Sequence, residues 1–226
     1  MSKYKKEFIE FLIKSQALKF GEFTLKSGRK SPYFFTTGNF NTGETVYRLG
    51  YFYASKIAEE KMDFDVIFGP AYKGIPLAVA TTITLTKEFQ MTKGYLFDRK
   101  ETKDYADKSA FVGYEPKENE KILLIDDVMT TGKTKEEAVE KLKTHFPHLD
   151  FAGLVIAFNR QEKDAEGKDA IKEFEQKFNI PVKSIITVRE VIDYLYQKEI
   201  EGKVYLNDEI KNKLENYLEE YGVKNE

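Results

Sequence analysis

The chain has 226 residues, with 36 Lys or Arg, 38 Asp or Glu, two His, no Cys and no Trp. Its length suits one large α/β domain. Its 41% hydrophobic content is typical of a globular protein and excludes a disordered or collagen-like chain. The net charge of −2 gives no general attraction to nucleic acid or to an anionic membrane. Without Cys, the chain has no disulfides, thiolate nucleophile or Cys-based metal site.

Targeting and membrane signals are absent from the segments where they would be expected. Glu10 and Lys14 interrupt the N-terminal apolar pattern, which a secretory signal would not tolerate. The longest weakly polar stretch, 75–86, is far shorter than the ~20 residues that a membrane span needs. Both His lie within 145–148, which predicts a polar turn and not a spread set of metal ligands. We expect a soluble cytoplasmic protein with no nucleic-acid or membrane partner.

The first 40 residues predict a helix followed by a small hairpin. Apolar residues recur at helical spacing over 3–18. Two runs rich in aromatic and β-branched residues, 22–25 and 33–36, then read as strands. The segment between them contains Gly28 and Pro32, which indicate a loop.

The central part of the chain alternates between strand and helix patterns. Thr42 is a plausible cap for a helix over 44–61. Further apolar runs predict strands at 66–68, 94–97, 122–125, 154–158 and 182–186. Helical stretches lie near 75–89, 134–145 and 169–178. This alternation predicts an α/β fold with a parallel sheet covered by helices on both faces.

The C-terminal third is predicted to contain two further helices. Elsewhere, the chain has two charged segments that are predicted to be loops. Thr187 and Glu190 have the spacing of a capping box, and Asn207 can cap a final helix. The charged segments 99–108 and 161–168 lack apolar anchors and are predicted to be mobile surface loops. Because an open α/β sheet binds ligands beyond the carboxyl ends of its strands, the residues after each strand are the candidates for function.

The segment after the strand at 122–125 combines two acids, small hydroxyl residues and a glycine before a helix. It consists of Asp126, Asp127, Val128, Met129, Thr130, Thr131, Gly132, Lys133 and Thr134. The backbone N–H groups of its second half can wrap a phosphate at the positive end of the helix dipole. The carboxylates suit sugar hydroxyls or a cation, so the segment fits a ribose phosphate. A simple strand-to-helix turn with a Thr cap is the alternative for this loop alone.

The same segment ends like a nucleotide-binding P-loop. Gly132-Lys133-Thr134 matches the end of the Walker A pattern, and a strand precedes it. However, Asp127 stands where that pattern needs its first glycine, and its carboxylate would face the nucleotide's phosphates. We therefore disfavour the P-loop interpretation.

Several segments together resemble a known enzyme family. The loop at 126–134 resembles the ribose-phosphate motif of the type I phosphoribosyltransferases. The segment 23–35 resembles the hood of the orotate phosphoribosyltransferases within that family. Further similar segments lie at 69–76, 99–104 and 159–162, in the family's order.

This resemblance implies a type I phosphoribosyltransferase fold, with a central parallel sheet flanked by helices and a small N-terminal hood. Residues 1–226 would form a single domain, with the hood at about 1–40 plus C-terminal elements and the core at about 44–200. The implied reaction transfers the phosphoribosyl group from 5-phosphoribosyl 1-diphosphate to N1 of orotate, giving orotidine 5′-monophosphate and diphosphate. Ribose C1′ leaves the diphosphate through a cationic state, so charge stabilisation and alignment carry the catalysis and no nucleophilic side chain is needed.

The resemblance also assigns the residues that handle 5-phosphoribosyl 1-diphosphate. The implied catalytic residues are Lys26, Lys73, Arg99, Lys100, Lys103, Asp126 and Asp127. The same residues, together with Tyr72, Tyr105 and the rest of the 126–134 loop, would bind the sugar diphosphate. Mg²⁺ would bridge its oxygens, carried mainly by substrate and water with no direct protein ligand. Each Lys alone is more simply a solvated surface charge.

The implied orotate site uses aromatic and basic side chains. Phe34 and Phe35 are neighbours in a strand, so their rings point to opposite faces, and one can stack on the pyrimidine while the other packs into the domain. Arg160 would pair with the orotate carboxylate through a fork of two hydrogen bonds. Thr130 completes the implied set. Core packing for either Phe and a surface ion pair for Arg160 are the simpler alternatives.

The family resemblance also implies a homodimer, because the loop at 99–108 closes over the neighbouring subunit's site in the family. This chain departs from the family at two positions. Tyr105 stands where the family has His, and Lys133 replaces a small hydroxyl residue. Tyr105 brings no cation near neutral pH, which puts the role of that His in doubt.

Two alternative functions remain open from the sequence. A purine phosphoribosyltransferase would fit the loop at 126–134 equally well, although Phe34, Phe35 and Arg160 favour an acidic pyrimidine. A non-catalytic regulator on the same fold could sense ribose phosphates while binding nucleic acid. The net charge of −2 and the absence of a basic helical stripe argue against the regulator.

Overall fold

The computed structural model describes residues 1–25, 27–100 and 110–223. The strands are β1 (Leu18–Thr24), β2 (Lys30–Phe35), β3 (Val66–Phe68), β4 (Gly94–Asp98), β5 (Phe111–Gly113), β6 (Lys121–Val128), β7 (Asp150–Asn159), β8 (Val182–Thr187), β9 (Glu199–Ile200) and β10 (Lys203–Val204). The helices are α1 (Lys3–Lys14), α2 (Gly43–Glu59), α3 (Gly74–Phe89), α4 (Lys133–His145), α5 (Ala170–Phe178), α6 (Val188–Leu195) and α7 (Asp208–Tyr221).

The central sheet has six strands in the order β5-β4-β3-β6-β7-β8. All neighbouring pairs from β4 to β8 are parallel, and β5 adds to the edge of β4 in the antiparallel direction. Parallel strands need crossover connections, which the intervening helices supply. The predicted α/β fold with a parallel sheet is confirmed, with β5 as an antiparallel edge strand that the sequence did not predict.

Helices cover both faces of this sheet. Alternate strand residues such as Leu123 and Ile125 pack with α1, α2, α3, α6 and α7 in one apolar cluster. The intervening residues, such as Ile122 and Leu124, pack with α4 and α5 in a second cluster. Strand residues therefore face apolar surroundings on both sides, which explains why these strands read as continuous apolar runs.

The hood consists of α1 and the antiparallel hairpin β1–β2. α1 is shorter than the helix predicted over 3–18, because Gln16 takes a positive φ of 54° and Leu18 already begins β1. A bulge between Phe20 and Phe23 shifts the register of the hairpin. Both strands begin earlier than predicted, since pairing with the partner strand extends them beyond the aromatic runs.

The predicted helix caps are confirmed. The Thr42 hydroxyl accepts the N–H of Thr45 at 3.2 Å, and Thr187 forms a capping box with Glu190. Asn207 accepts the N–H of Ile210 at the start of α7. These side chains satisfy amide groups that the first helical turn leaves unpaired.

Two polar segments differ in part from their predictions. The polar turn expected at 145–148 is present at Pro147 and His148, whereas His145 is the last residue of α4 and its ring packs 5.0 Å from that of Phe111. The segment 161–168 is not an unanchored loop, because its backbone pairs with the end of α7. The Lys163 N–H donates to the Tyr221 carbonyl and the Val223 N–H donates to the Gln161 carbonyl, both at 2.8 Å.

The short hairpin of β9 and β10 was also not predicted. Across the described residues, no helix combines the length and apolar character that crossing a bilayer requires.

Candidate active site

Two buried acids end the central strand β6. Asp126 and Asp127 are each 7% exposed and lie within the strand, which continues to Val128 and not only to Ile125 as predicted. Asp127 Oδ2 accepts hydrogen bonds from Lys73 Nζ at 2.9 Å and Thr37 Oγ1 at 3.0 Å. The two acids therefore lie at the carboxyl edge of the sheet, as the prediction required.

Asp126 pairs with a lysine that the sequence interpretation did not include. Lys135 Nζ lies 2.5 Å from Asp126 Oδ2, and both side chains are almost buried. Burial raises the pKa of Asp126, the negative charge of Asp127 adds to this, and the positive charge of Lys135 opposes it. Lys135 therefore favours the ionised form of Asp126, whereas burial and Asp127 disfavour it.

The loop between β6 and α4 is open to ligands. Thr130, Thr131, Lys133 and Thr134 are exposed, whereas Met129 is buried beneath the loop. Gly132 has a φ of 76°, a conformation that favours glycine. The N-cap residue Gly132 has no side chain to cap α4, and helix N-termini of this kind are suited to anions.

The loop between β3 and α3 delivers Lys73 to the acid pair. Gly69 and Gly74 approach so closely that a Cβ on Gly69 would lie 2.1 Å from the Gly74 carbonyl oxygen. The Ala71–Tyr72 peptide bond is cis. The Tyr72 side chain is 72% exposed, and Lys73 turns back onto Asp127. Close glycine packing thus fixes the turn from which Lys73 extends.

The end of β4 forms hydrogen bonds with the β3–α3 loop and with α4. Asp98 accepts the N–H of Ala71 at 2.8 Å through Oδ1 and pairs with Lys141 Nζ at 2.9 Å through Oδ2. Lys141 Nζ also donates to the Arg99 carbonyl at 3.0 Å. Arg99 and the exposed Lys100 therefore leave the sheet on the same side as Lys73. The predicted residues Lys26, Lys103 and Tyr105 lie outside the described residues.

The hood presents one aromatic ring and buries the next. The Phe34 ring is 38% exposed and packs 5.5 Å from that of Phe23. The Phe35 ring is 8% exposed and stacks 5.0 Å from the ring of Phe158. The prediction that the two rings point to opposite faces is confirmed, and the Phe34 ring is the one available to a ligand.

Arg160 lies just beyond β7 and is almost buried. Its Nη2 donates to Glu162 Oε1 at 2.8 Å and to Ser31 Oγ at 3.3 Å. Its guanidinium carbon lies 4.3 Å from the centre of the Tyr33 ring. Among the described residues, the hydrogen bonds of its side chain all use Nη2.

Comparison with known proteins places these features in one family. A family model described as "Phosphoribosyl transferase domain" matches residues 36–185. An orotate phosphoribosyltransferase from Clostridium botulinum strain Alaska E43 is 45% identical over 225 residues, covering 99% of this chain and 100% of that relative. The chain belongs to the orotate phosphoribosyltransferase family. Another orotate phosphoribosyltransferase, from Bifidobacterium adolescentis, is 48% identical, with 96% of each chain covered.

A solved orotate phosphoribosyltransferase has the same fold. The crystal structure from Francisella tularensis superposes with a TM-score of 0.83 at 41% identity, covering 96% of this chain and 100% of that chain. The type I phosphoribosyltransferase fold inferred from the sequence motifs is therefore confirmed. This chain is a member of a family of pentosyltransferases.

Among the described residues, several polar side chains outside the predicted set contact its members, including Thr37, Lys135 and Glu162. The position of Lys135 in the first turn of α4 indicates that it lies near the end of β6. Glu162 lies in the segment 159–162 that resembles the family, but its contacts and those of Thr37 depend on how the hood packs against the sheet.

No group of three or more His, Cys, Asp or Glu that could hold a metal ion occurs within residues 1–25, 27–100 and 110–223. Asp126 and Asp127 supply carboxylate oxygens at the carboxyl edge of the sheet, where they are bonded to Lys135, Lys73 and Thr37. The expectation that Mg²⁺ is held mainly by substrate and water remains a prediction.

Proposed function

We propose that this chain transfers the phosphoribosyl group of 5-phosphoribosyl 1-diphosphate to N1 of orotate, releasing diphosphate and forming orotidine 5′-monophosphate. The observation that carries the proposal is the hydrogen bond from Thr37, directly after the hood strand β2, to Asp127 at the phosphate loop. It connects the hood, which carries Phe34, to the acid pair. Arg160, beyond β7, contacts the hood through Ser31 and Tyr33. An acidic pyrimidine and a ribose phosphate can therefore occupy adjoining sites.

The sugar diphosphate would bind along the carboxyl edge of the sheet. The amides and hydroxyls from Thr130 to Thr134 suit its 5′-phosphate, supported by the positive end of α4. Asp126 and Asp127 can accept hydrogen bonds from the ribose hydroxyls. The 2.9 Å pair between Lys73 and Asp127 would open as Lys73, whose side chain is 64% exposed, turns to the diphosphate.

Further cations would gather on the leaving group. Arg99 and Lys100 leave β4 beside the β3–α3 loop, and we infer that Lys26, Lys103 and Tyr105 join them at the diphosphate. Charge on the departing oxygens is then stabilised as the C1′ bond breaks. Bound Mg²⁺ would supply further charge neutralisation on the diphosphate.

Orotate would bind between the hood and Arg160. The exposed face of Phe34 can stack on the pyrimidine. The open edge of the Arg160 guanidinium can hold the carboxylate through two hydrogen bonds. Thr130 lies on the phosphate-loop side and can contact the base, which would place N1 toward the ribose. Phe35 would contribute through its backbone and through packing on Phe158, since its ring is buried.

We further infer that residues 1–226 act as a single domain, in which the hood covers the site formed by the sheet. A homodimer in which the 99–108 loop reaches the neighbouring site, and a cytoplasmic location, remain predictions from the sequence. Loss of specific activity on dilution, followed together with sedimentation, would support shared sites. Full activity in a monomer would contradict them.

The direct test is loss of orotate absorbance when the purified protein is mixed with 5-phosphoribosyl 1-diphosphate. The assay is run with Mg²⁺ present or chelated, and with adenine or hypoxanthine as the acceptor in place of orotate. We expect Mg²⁺-dependent consumption of orotate and no reaction with either purine. Turnover of a purine, or tight binding of the sugar diphosphate without turnover of any base, would contradict the proposal.

A further inference from the structure

A buried junction of three side chains lies behind the proposed orotate site. Glu162 Oε1 accepts a hydrogen bond from the Tyr33 hydroxyl at 2.5 Å and another from Arg160 Nη2 at 2.8 Å. The Glu162 side chain is 8% exposed and that of Arg160 is 11% exposed. One carboxylate oxygen thus connects the hood strand β2 to the guanidinium beyond β7.

We propose that Glu162 is a positioning residue that holds Arg160 with one edge of its guanidinium toward the orotate carboxylate. This inference rests on the proposed function. Glu162 itself need not touch either substrate, because it binds Arg160 from the protein side. Its role is to fix the direction in which Arg160 presents its remaining donors.

Tyr33 is protonated and can therefore donate a hydrogen bond to Glu162. Burial raises the pKa of Tyr33 well above its ordinary value; the positive charge of Arg160 opposes the rise and the charge of Glu162 adds to it. Tyr33 is therefore a neutral phenol that donates to Glu162. The Tyr33 ring also lies under the Arg160 guanidinium, and cation–π contact of this kind restrains the planar group.

The backbone around Glu162 is fixed on both sides by the C-terminal segment. Gln161 and Lys163 exchange backbone hydrogen bonds with Val223 and Tyr221, so Glu162 is bridged to the chain at Gly222. Arg29 adds hydrogen bonds from its guanidinium to the Lys163 and Asp164 carbonyls. Glu162 therefore cannot move away from Arg160 without breaking several contacts.

The charges around the junction favour an additional anion. Arg29 Nη1 lies 3.6 Å from Glu162 Oε2, so two guanidinium groups share one carboxylate. The junction keeps a net positive charge, and orotate supplies a carboxylate to balance it. A base without a carboxylate would leave Arg160 without an acidic partner on its open edge, which costs binding free energy in a desolvated site.

The test compares two substitutions of the same side chain. Glu162→Ala removes the acceptor, whereas Glu162→Gln retains an oxygen for Tyr33 and Arg160 and removes the charge. We expect Glu162→Ala to raise the KM for orotate about tenfold or more and to leave the KM for the sugar diphosphate within about twofold. We expect Glu162→Gln to stay within about threefold of wild type in both constants.

Two further variants serve as a control and as a replacement for Glu162→Ala if that variant does not fold. Glu166→Ala, at an exposed acid of the same segment, is the matched control and should change neither constant. If Glu162→Ala does not fold, Tyr33→Phe removes one of the two donors to Glu162 and should raise only the orotate KM, by about threefold.

Several results would overturn the inference. Equal changes in both KM values would indicate a general structural role, and an unchanged orotate KM in Glu162→Ala would exclude positioning of Arg160. A Glu162→Gln variant as impaired as Glu162→Ala would show that charge, and not orientation, is what Glu162 provides. Failure of the wild-type protein to consume orotate would instead contradict the proposed function, and calorimetric binding of the sugar diphosphate to each variant separates these cases.

Discussion

The acid pair at the end of β6 and the junction at Arg160 hold their charges in different ways. Lys73 bonds to Asp127, but its side chain is 64% exposed and can change partner. Arg160 and Glu162 are 11% and 8% exposed and are held by the hood. The region that would receive the diphosphate can therefore rearrange as the leaving group departs, whereas the region that would recognise the base is preformed. Because the side chains that would bind the base are already ordered, less conformational entropy is lost when the base binds.

The largest expected effect comes from the preformed region. Arg160→Ala should lower kcat/KM for orotate by about a thousandfold, because two charge-assisted hydrogen bonds are lost and Glu162 stays buried without its close partner. Arg160→Lys keeps the positive charge but loses the fork, so it should restore only part of the activity. Steady-state kinetics with varied orotate measure both. A loss below about tenfold for Arg160→Ala would contradict the assigned role.

The residues that would bind the diphosphate should control turnover and not the recognition of the base. Lys103→Ala should lower kcat about a hundredfold, since a positive charge on the leaving group stabilises the transition state more than the ground state. Thermal unfolding should be unchanged. Unchanged turnover in single-turnover and steady-state assays would remove Lys103 from the catalytic set.

The acid pair predicts a shift in pH dependence. Lys135 favours the ionised form of Asp126, so Lys135→Met should raise the pKa of Asp126 further above its ordinary value. If ionised Asp126 binds the ribose, activity is lost as the pH falls through this pKa, and the acid limb of kcat/KM for the sugar diphosphate should move to higher pH. Lys135→Arg should restore the wild-type limb. A profile identical in Lys135→Met and wild type would contradict this dependence.

The smallest expected effect lies at the contact between the two regions. Thr37→Val removes the hydroxyl that donates to Asp127, while Lys73 remains as a partner. The KM for the sugar diphosphate should rise about threefold, in line with the loss of one hydrogen bond. Thr86→Val, which removes a hydroxyl bonded within α3, is the control. An effect as large as that of Arg160→Ala would show that the two regions are not separable.

The sequence predicted the sheet because its strands have a local pattern, and the candidate phosphate-binding residues 126–134 were identified from a local pattern as well. Strands such as β6 are apolar over consecutive residues since both faces are covered, and the loop after β6 combines acids, hydroxyl residues and Gly132 within one short segment. The edge strand β5 escaped prediction because three residues carry too little pattern.

The junction at Glu162 could not be read from the sequence. Tyr33 and Glu162 are 129 positions apart, and only the packing of the hood on the sheet brings them together. The segment 161–168 was predicted to be a charged surface loop, and its composition did not indicate the backbone pairing with the C-terminal residues or the place of Glu162 in a buried ion pair. Glu162 in this segment is buried, whereas Glu166 and Lys168 are exposed to solvent.

We propose that the preformed cationic junction of Arg160, Glu162 and Arg29 selects an acidic pyrimidine for phosphoribosyl transfer. The most direct measurement compares kcat/KM for orotate and for uracil, which differs from orotate by the missing carboxylate, with 5-phosphoribosyl 1-diphosphate and Mg²⁺ held constant. We predict rapid consumption of orotate and a value for uracil lower by about a thousandfold or more. Comparable turnover of the two bases, or none with orotate, would contradict the claim.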